Sequence, residues 1–256
     1  MRIETRLHVD EPLAEGMTLG LDHQRAHFLR SVLRLGRGAH VAVFNAEAGE
    51  FLAEIEGLGK GWASLSVAER LRAPEAEPDL WLVFAPIKRA RLDFMVEKAV
   101  ELGISALKPV MTQHTAVGRV NVERLAANAR EAAEQCERLS VPAVDEPAEL
   151  MQTISAWPSE RRLLLCAEAG EAAPVAEALA EIAAGAGGKP CGPWAVLTGP
   201  EGGFHPSELD ALRKLPFVTP VSLGPRVLRA DTAALAALAC WQAWLGDWRR
   251  RPPAGG

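Results

Sequence analysis

The chain has 256 residues, a formal net charge of −5, and a composition that is 48% hydrophobic and 24% charged. These values belong to a globular protein and exclude a disordered chain, a collagen-like fibre or a coiled coil; no apolar run is long enough to span a bilayer. The acidic balance excludes a non-specific nucleic-acid coat but leaves room for a local basic face.

The first residues, MRIETRLHVD, carry charges where a signal peptide needs an apolar stretch, so the expectation is a cytoplasmic protein. Short alternating or apolar runs at 5–9, 41–44, 51–55 and 62–67, with glycine-containing turns between them, predict the strands of a small β-barrel. A helix is predicted over 22–34, where Ala26, Phe28, Leu29, Val32 and Leu33 fall at helical spacing. Arg25, Arg30, Arg34 and Arg37 make this the most basic stretch of the N-terminal part. His23 and His27 lie one helical turn apart, but no third ligand is spelled out, so no metal is expected. APEAEPD at 73–79 reads as a linker, dividing the chain into domains at 1–72 and 80–256.

Beyond the linker, strand candidates (81–85, 106–110, 162–167, 194–199 and 218–223) alternate with helix candidates at about 91–102, 122–138, 147–156, 174–184, 206–214 and 232–246. Such alternation predicts a parallel sheet covered on both faces, and ligands of such sheets bind beyond the carboxyl ends of the strands. The loops after 194–198 and 218–222 therefore carry the interest. The last helix is apolar on nearly all sides, with Trp241, Trp244 and Trp248 on one stripe, which predicts burial in the core or against a second subunit. Cys136, Cys166, Cys191 and Cys240 lie far apart and read as reduced thiols, with no zinc motif.

Two motifs carry chemistry. The first is Leu197-Thr198-Gly199-Pro200-Glu201-Gly202-Gly203-Phe204, followed by Pro206 and Glu208. Its glycines allow close backbone approach to a ligand; the alternative is a tight strand–helix turn that binds nothing. It is no phosphate loop, since it lacks both a Lys-Ser/Thr pair and the GxGxxG spacing. The second runs Leu223-Gly224-Pro225-Arg226-Val227-Leu228-Arg229-Ala230-Asp231-Thr232-Ala233. Its bland alternative is a helix capped by Asp231 or Thr232 with surface arginines nearby.

Together, LTGPEGGF…E and SLGPRVLRADTA resemble the 16S rRNA (uracil-1498-N3) methyltransferases, the RsmE family of the SPOUT class. HFLRSVLRLGRG with its VFN strand, KRARLDFMVEKAVELGI and EQCERLSVP extend the resemblance over nearly the whole chain. It implies an α/β fold: a C-terminal SPOUT-type parallel sheet with a deep trefoil knot, preceded by a small PUA-like β-barrel that helps hold RNA. It also implies a homodimer, S-adenosyl-L-methionine as cofactor, 16S rRNA in the 30S subunit as partner, and no metal or membrane. Carried over by position, the cofactor pocket is Leu197, Thr198, Gly199, Pro200, Glu201, Gly202, Leu223, Gly224, Val227 and Leu228. Glu201 could instead serve the dipole of the following helix.

The implied reaction methylates N3 of uracil, a weakly acidic nitrogen on the Watson–Crick edge, so the base must be unpaired or flipped. Positive charge near O2 or O4 stabilises the uracil anion. Arg229 is the first candidate for that charge and Arg226 the second, with a grip on phosphate as its other role. A solvated arginine or a dimer salt bridge is the alternative for each. Asp231 either takes the proton or orients Arg229 and caps the helix; orientation and capping are favoured. Arg25, Arg30, Arg34, Arg37, Lys88 and Arg138 are the RNA-binding candidates, against a solvated face. The chain departs from the family pattern at Ala230-Asp231, where Thr-Glu is common, at Leu139-Ser140, and at His114, where arginine is usual. A methyltransferase acting on another base and an assembly factor without catalysis are the competing readings.

Overall fold

The computed structural model describes residues 2–167, 172–185 and 192–249. It divides into two units, Met1–Ala76 with Ala133–Val141, and Glu77–Ala132 with Pro142–Gly256.

The first unit is a five-stranded sheet in the order β1-β3-β4-β5-β2. Its strands are β1 (Arg6–His8), β2 (Thr18–Leu21), β3 (His40–Asn45), β4 (Gly49–Gly59) and β5 (Trp62–Arg72). β2 escapes the sequence pattern because it is only four residues, TLGL, with a glycine among them. The β1–β3 pair is parallel and the other pairs are antiparallel. Inward residues such as Leu19, Val41, Val43, Phe51, Ile55 and Leu65 form the core, as the period-2 pattern requires.

The predicted 22–34 helix is broken in two: α1 (His23–His27), capped by the Asp22 carboxylate, and a π-helical turn over Phe28–Val32. The wider turn rotates the apolar stripe, so Leu29 is buried while Val32 is 60% exposed. Arg34 ends the segment in the left-handed region, at φ 57°. Segment 133–141 belongs to this unit because Arg6 holds it. The Arg6 guanidinium pairs with Glu50 at 2.5 Å and donates to the carbonyls of Ala133, Glu134 and Arg138, over the Phe44 ring. Cationic donors suit the carbonyls at a helix end.

The second unit contains, in chain order, β6 (Leu80–Phe84), α2 (Arg89–Glu101), β7 (Ala106–Met111), α3 (Val122–Gln135), β8 (Ala143–Val144), β9 (Ala148–Glu149), α4 (Leu150–Ser155), β10 (Arg162–Cys166), β11 (Ala173–Pro174), α5 (Val175–Gly185), β12 (Trp194–Thr198), α6 (Pro206–Arg213), β13 (Val218–Ser222) and α7 (Ala230–Trp244). All its strand pairs are parallel, in the order β11-β13-β10-β12-β6-β7-β8, with β9 beside β7. The central strands read as continuous apolar runs because both faces are covered. This order sets the carboxyl ends of β12 and β13 on either side of the end of β10.

α7 packs against α2, α5 and β12, burying Ala234, Ala237, Leu238 and Trp241. Gln242, 1% exposed, donates to the Leu102 carbonyl at 2.7 Å and accepts from the Asp247 amide. That satisfies a buried polar group at the helix end. The expected tryptophan stripe is corrected here. α7 ends at Trp244, and Trp248 lies on a separate 3-10 turn, Asp247–Arg249. Trp241 is buried, whereas Trp244 and Trp248 are 40% and 53% exposed. Capping by Asp231 or Thr232 is corrected too: the N-cap is Arg229, without a side-chain hydrogen bond, and Asp231 falls inside the first turn. Cys136, Cys166 and Cys240 are free thiols; Cys191 lies outside the described residues.

Candidate active site

The carboxyl ends of β10, β12 and β13 open into a cavity of about 300 Å3, at the small end of the range for small-molecule sites. Both glycine-bearing loops line it. From the first come Thr198, Gly199, Pro200 and Gly202, with Gly203 and Phe204; from the second, Leu223, Gly224, Arg226, Val227 and Leu228. Cys166 and Ala167 at the end of β10 and Ala230 and Ala233 on α7 also line the wall, with Leu209, Ser222 and Pro225.

Four candidates fall outside this lining. Leu197 is fully buried in the apolar core beneath the loop, because alternation along β12 turns its side chain into the helix-covered face. Glu201 is exposed at the loop tip. Arg229 and Asp231 lie just past the rim. Arg229 is exposed, and Asp231 keeps one carboxylate oxygen buried with no hydrogen-bond partner. The expected Arg229–Asp231 contact is absent among the described residues. Of the two candidate arginines, Arg226 is the one that borders the cavity.

Backbone conformation explains the glycines. Gly203 and Gly224 sit at φ +70° and +101°, a region that L side chains rarely adopt. A Cβ on Gly199 would lie 3.0 Å from the Phe204 ring, so a bare Cα there lets the ring seat against the loop. The Gly203 amide closes the turn by donating to the Pro200 carbonyl at 2.9 Å.

The loop is held from outside by residues the sequence did not single out as a group. Glu208, 4% exposed, accepts from the His205 amide at 2.9 Å and from the Gln113 amide at 3.0 Å. His205 in turn caps α6 through the Ser207 amide. His114 Nδ1 lies 3.3 and 3.2 Å from the carbonyls of Gly202 and Gly203. Carbonyls only accept, so Nδ1 carries the hydrogen. The signal for Glu208 was present in the sequence, three residues after His205 at a helix start. His114 lies 88 residues from Gly202, and no local pattern links them.

Burial pushes the Cys166 thiol up to about 12, with a smaller push from nearby Cys240, which burial also raises. The thiol therefore stays neutral beside the cavity.

The RNA candidates are scattered differently. Arg30, Arg34 and Arg37 are exposed and Arg25 is half-buried in the first unit; Lys88 is exposed at the start of α2. None of these five makes an ion pair among the described residues. Arg138 differs: it is half-buried and donates to Ser140 Oγ at 2.9 Å, so packing engages it. No group of three or more metal-binding side chains occurs among the described residues, and none of their helices is long and apolar enough to cross a membrane.

Residues 74–242 match the family model of the RNA methyltransferase domain. The chain is 32% identical over 236 residues to the Ribosomal RNA small subunit methyltransferase E of Rickettsia conorii, covering 91% of this chain and 93% of that one. Its fold is similar to the crystal structure of a Ribosomal RNA small subunit methyltransferase E from Neisseria gonorrhoeae bound to S-adenosyl methionine. The TM-score is 0.82 at 27% identity, over 95% of this chain and 99% of that one. A Legionella pneumophila protein in complex with the same cofactor gives a TM-score of 0.80 at 27% identity, over 95% and 98% of the two chains.

Proposed function

This chain belongs to the RNA methyltransferase family that includes the ribosomal RNA small subunit methyltransferases E, and on that premise we propose that it methylates N3 of uridine 1498 of 16S rRNA, using S-adenosyl-L-methionine, on the small ribosomal subunit in the cytoplasm. The observation that carries this reading is the cavity between the two glycine-bearing loops, at the strand ends where ligands of parallel sheets bind. The bare Cα at Gly199 and the apolar, backbone-rich wall suit that cofactor. So does a Cys166 thiol held neutral, because a thiolate would compete for the methyl group. When bound, the cofactor supplies an electrophilic methyl carbon on a sulfonium.

The chain's own residues supply position and charge. Thr198, Gly199, Pro200, Gly202, Leu223, Gly224, Val227 and Leu228 would hold the cofactor, while Leu197 supports the loop from below. Arg226 at the rim and Arg229 beyond it would face the uracil, where positive charge near O2 or O4 favours the N3 anion. Asp231, within reach of the same rim, would position the incoming base or the arginines. The first unit, as a PUA-like barrel, would hold RNA through Arg25, Arg30, Arg34 and Arg37, with Lys88 contributing from the second. We propose also that the second unit carries the trefoil knot of the SPOUT class and that two copies pair through the C-terminal end of α7 and the 3-10 turn that follows it, where Trp244 and Trp248 reach solvent.

The test incubates the purified protein with labelled S-adenosylmethionine and 30S particles, with naked tRNA in parallel. Label in 16S rRNA alone is expected. RNA binding without transfer would favour an assembly factor, and label in tRNA would overturn the substrate.

A further inference from the structure

The first unit carries one aromatic surface that this reading leaves unused. The hairpin between β4 and β5 turns at Lys60 and Gly61 and sets Gly59 opposite Trp62. The indole lies across β4. A Cβ on Gly57 would meet its ring at 2.8 Å, and one on Gly59 would overlap it. Leu58, between them, packs on the core, so both glycines and the indole are on the outer face. One face of the ring rests on bare backbone while Trp62 remains 54% exposed. Gly61, at φ +91°, lets the His23 ring approach the same turn; a Cβ there would lie 2.8 Å from it. The His23 and His27 rings are parallel within 1°, with centroids 6.5 Å apart, and both residues are exposed. Lys60 is exposed and Arg25 half-buried; neither makes an ion pair among the described residues.

Covering a cross-strand glycine accounts for a ring that lies flat. It does not account for a large indole left half in water, beside two more exposed rings and unpaired cations. Flat aromatic faces with nearby cations are how proteins hold unpaired bases: the base stacks, and the cations meet the phosphates. We propose that Trp62, seated on Gly57 and Gly59 and flanked by His23 and Lys60, is a stacking platform for an unpaired nucleobase of the RNA substrate. The platform rests on the RNA methyltransferase reading above and adds a base-contacting residue to a unit otherwise assigned only phosphate contacts.

Fluorescence anisotropy of the full chain tests it, with a labelled single-stranded oligoadenosine RNA and an abasic ribose-phosphate strand of equal length. Trp62→Leu is expected to weaken oligoadenosine binding about tenfold or more and Trp62→Phe far less. The abasic strand should bind both variants as it binds the wild type. The salt dependence should keep its slope, because no phosphate contact is removed. Thermal unfolding of both variants checks the hairpin, and a Trp62→Phe chain that folds normally keeps the comparison valid if Trp62→Leu does not. Equal binding by Trp62→Leu and wild type, equal loss on the abasic strand, or a folded Trp62→Phe that binds no better than bare backbone contacts allow would overturn the platform. If the wild type still methylates 30S particles in that case, the proposed activity stands; a wild type that neither binds RNA nor transfers methyl overturns both.

Discussion

At the scale of single residues, the proposed function divides the site into lining residues that would hold the cofactor and Arg229, outside the lining, that would act on the base. Gly199 faces the Phe204 ring at close range, so Gly199→Val must displace that ring or the loop. It is expected to weaken cofactor binding at least tenfold, about 1.4 kcal/mol, in calorimetric titration. Arg229 lies outside the lining. Arg229→Ala is expected to leave cofactor affinity within about twofold and to slow transfer about a hundredfold, ~3 kcal/mol. Equal loss of affinity in both variants would make Arg229 structural. Cys166 gives a pH-dependent readout. Burial disfavours its thiolate, so the folded chain keeps the proton from the ordinary value of 9.0 up to about 12, while the unfolded chain releases it. This contribution to stability is full below about pH 9 and is lost as pH rises toward 12. Alkylation of Cys166 at pH 8, followed by peptide mass spectrometry, should be slow in the native protein and rapid after unfolding.

At the scale of elements, the strand–helix alternation and both loops were legible in the sequence because their signals are local: periodicity, Gly-Pro turns, and apolar runs that end where these loops begin. The failures have physical causes of equal clarity. The basic helix is interrupted because a π-helical turn shifts its stripe at Val32, which a fixed helical period cannot foresee. Trp248 leaves the last helix because the chain turns at Leu245 and Gly246, around the buried Gln242. The clasp on the glycine loop was invisible because His114 and Gly202 meet only in three dimensions. That clasp is testable. His114→Phe keeps a ring but loses the donor to Gly202 and Gly203, and is expected to cost about 1 kcal/mol of cofactor affinity, roughly fivefold. His114→Asn places an amide N–H near the position of Nδ1 and should restore most of it. No difference between the two would mean that the ring, not its hydrogen bond, supports the loop.

At the scale of the whole molecule, an acidic chain is asked to bind RNA, so its cations must act locally. Arg30, Arg34 and Arg37 of the first unit are exposed and, like the half-buried Arg25, make no ion pair among the described residues, the state from which a phosphate contact costs no broken salt bridge. Arg30→Ala combined with Arg34→Ala is expected to lower the salt-dependence slope of RNA binding by about 1–2, measured across a salt series. An unchanged slope would remove that segment from the RNA face. Residues 73–79 lack regular structure. The return of 133–141 to the first unit depends on Arg6 and three distant carbonyls, which no linear pattern announces.

The central claim is that the cavity between residues 198–204 and 222–228 presents a methyl donor to a uracil of small-subunit rRNA. Mass spectrometry of nuclease-digested 16S rRNA, after incubating 30S particles lacking this modification with the protein and S-adenosylmethionine, tests it most directly. The account expects one new methyl group, on N3 of uridine 1498, formed much more slowly with Gly199→Val at a cofactor concentration near the wild-type affinity. A methyl group on another nucleoside, or none with the wild-type protein, would contradict it.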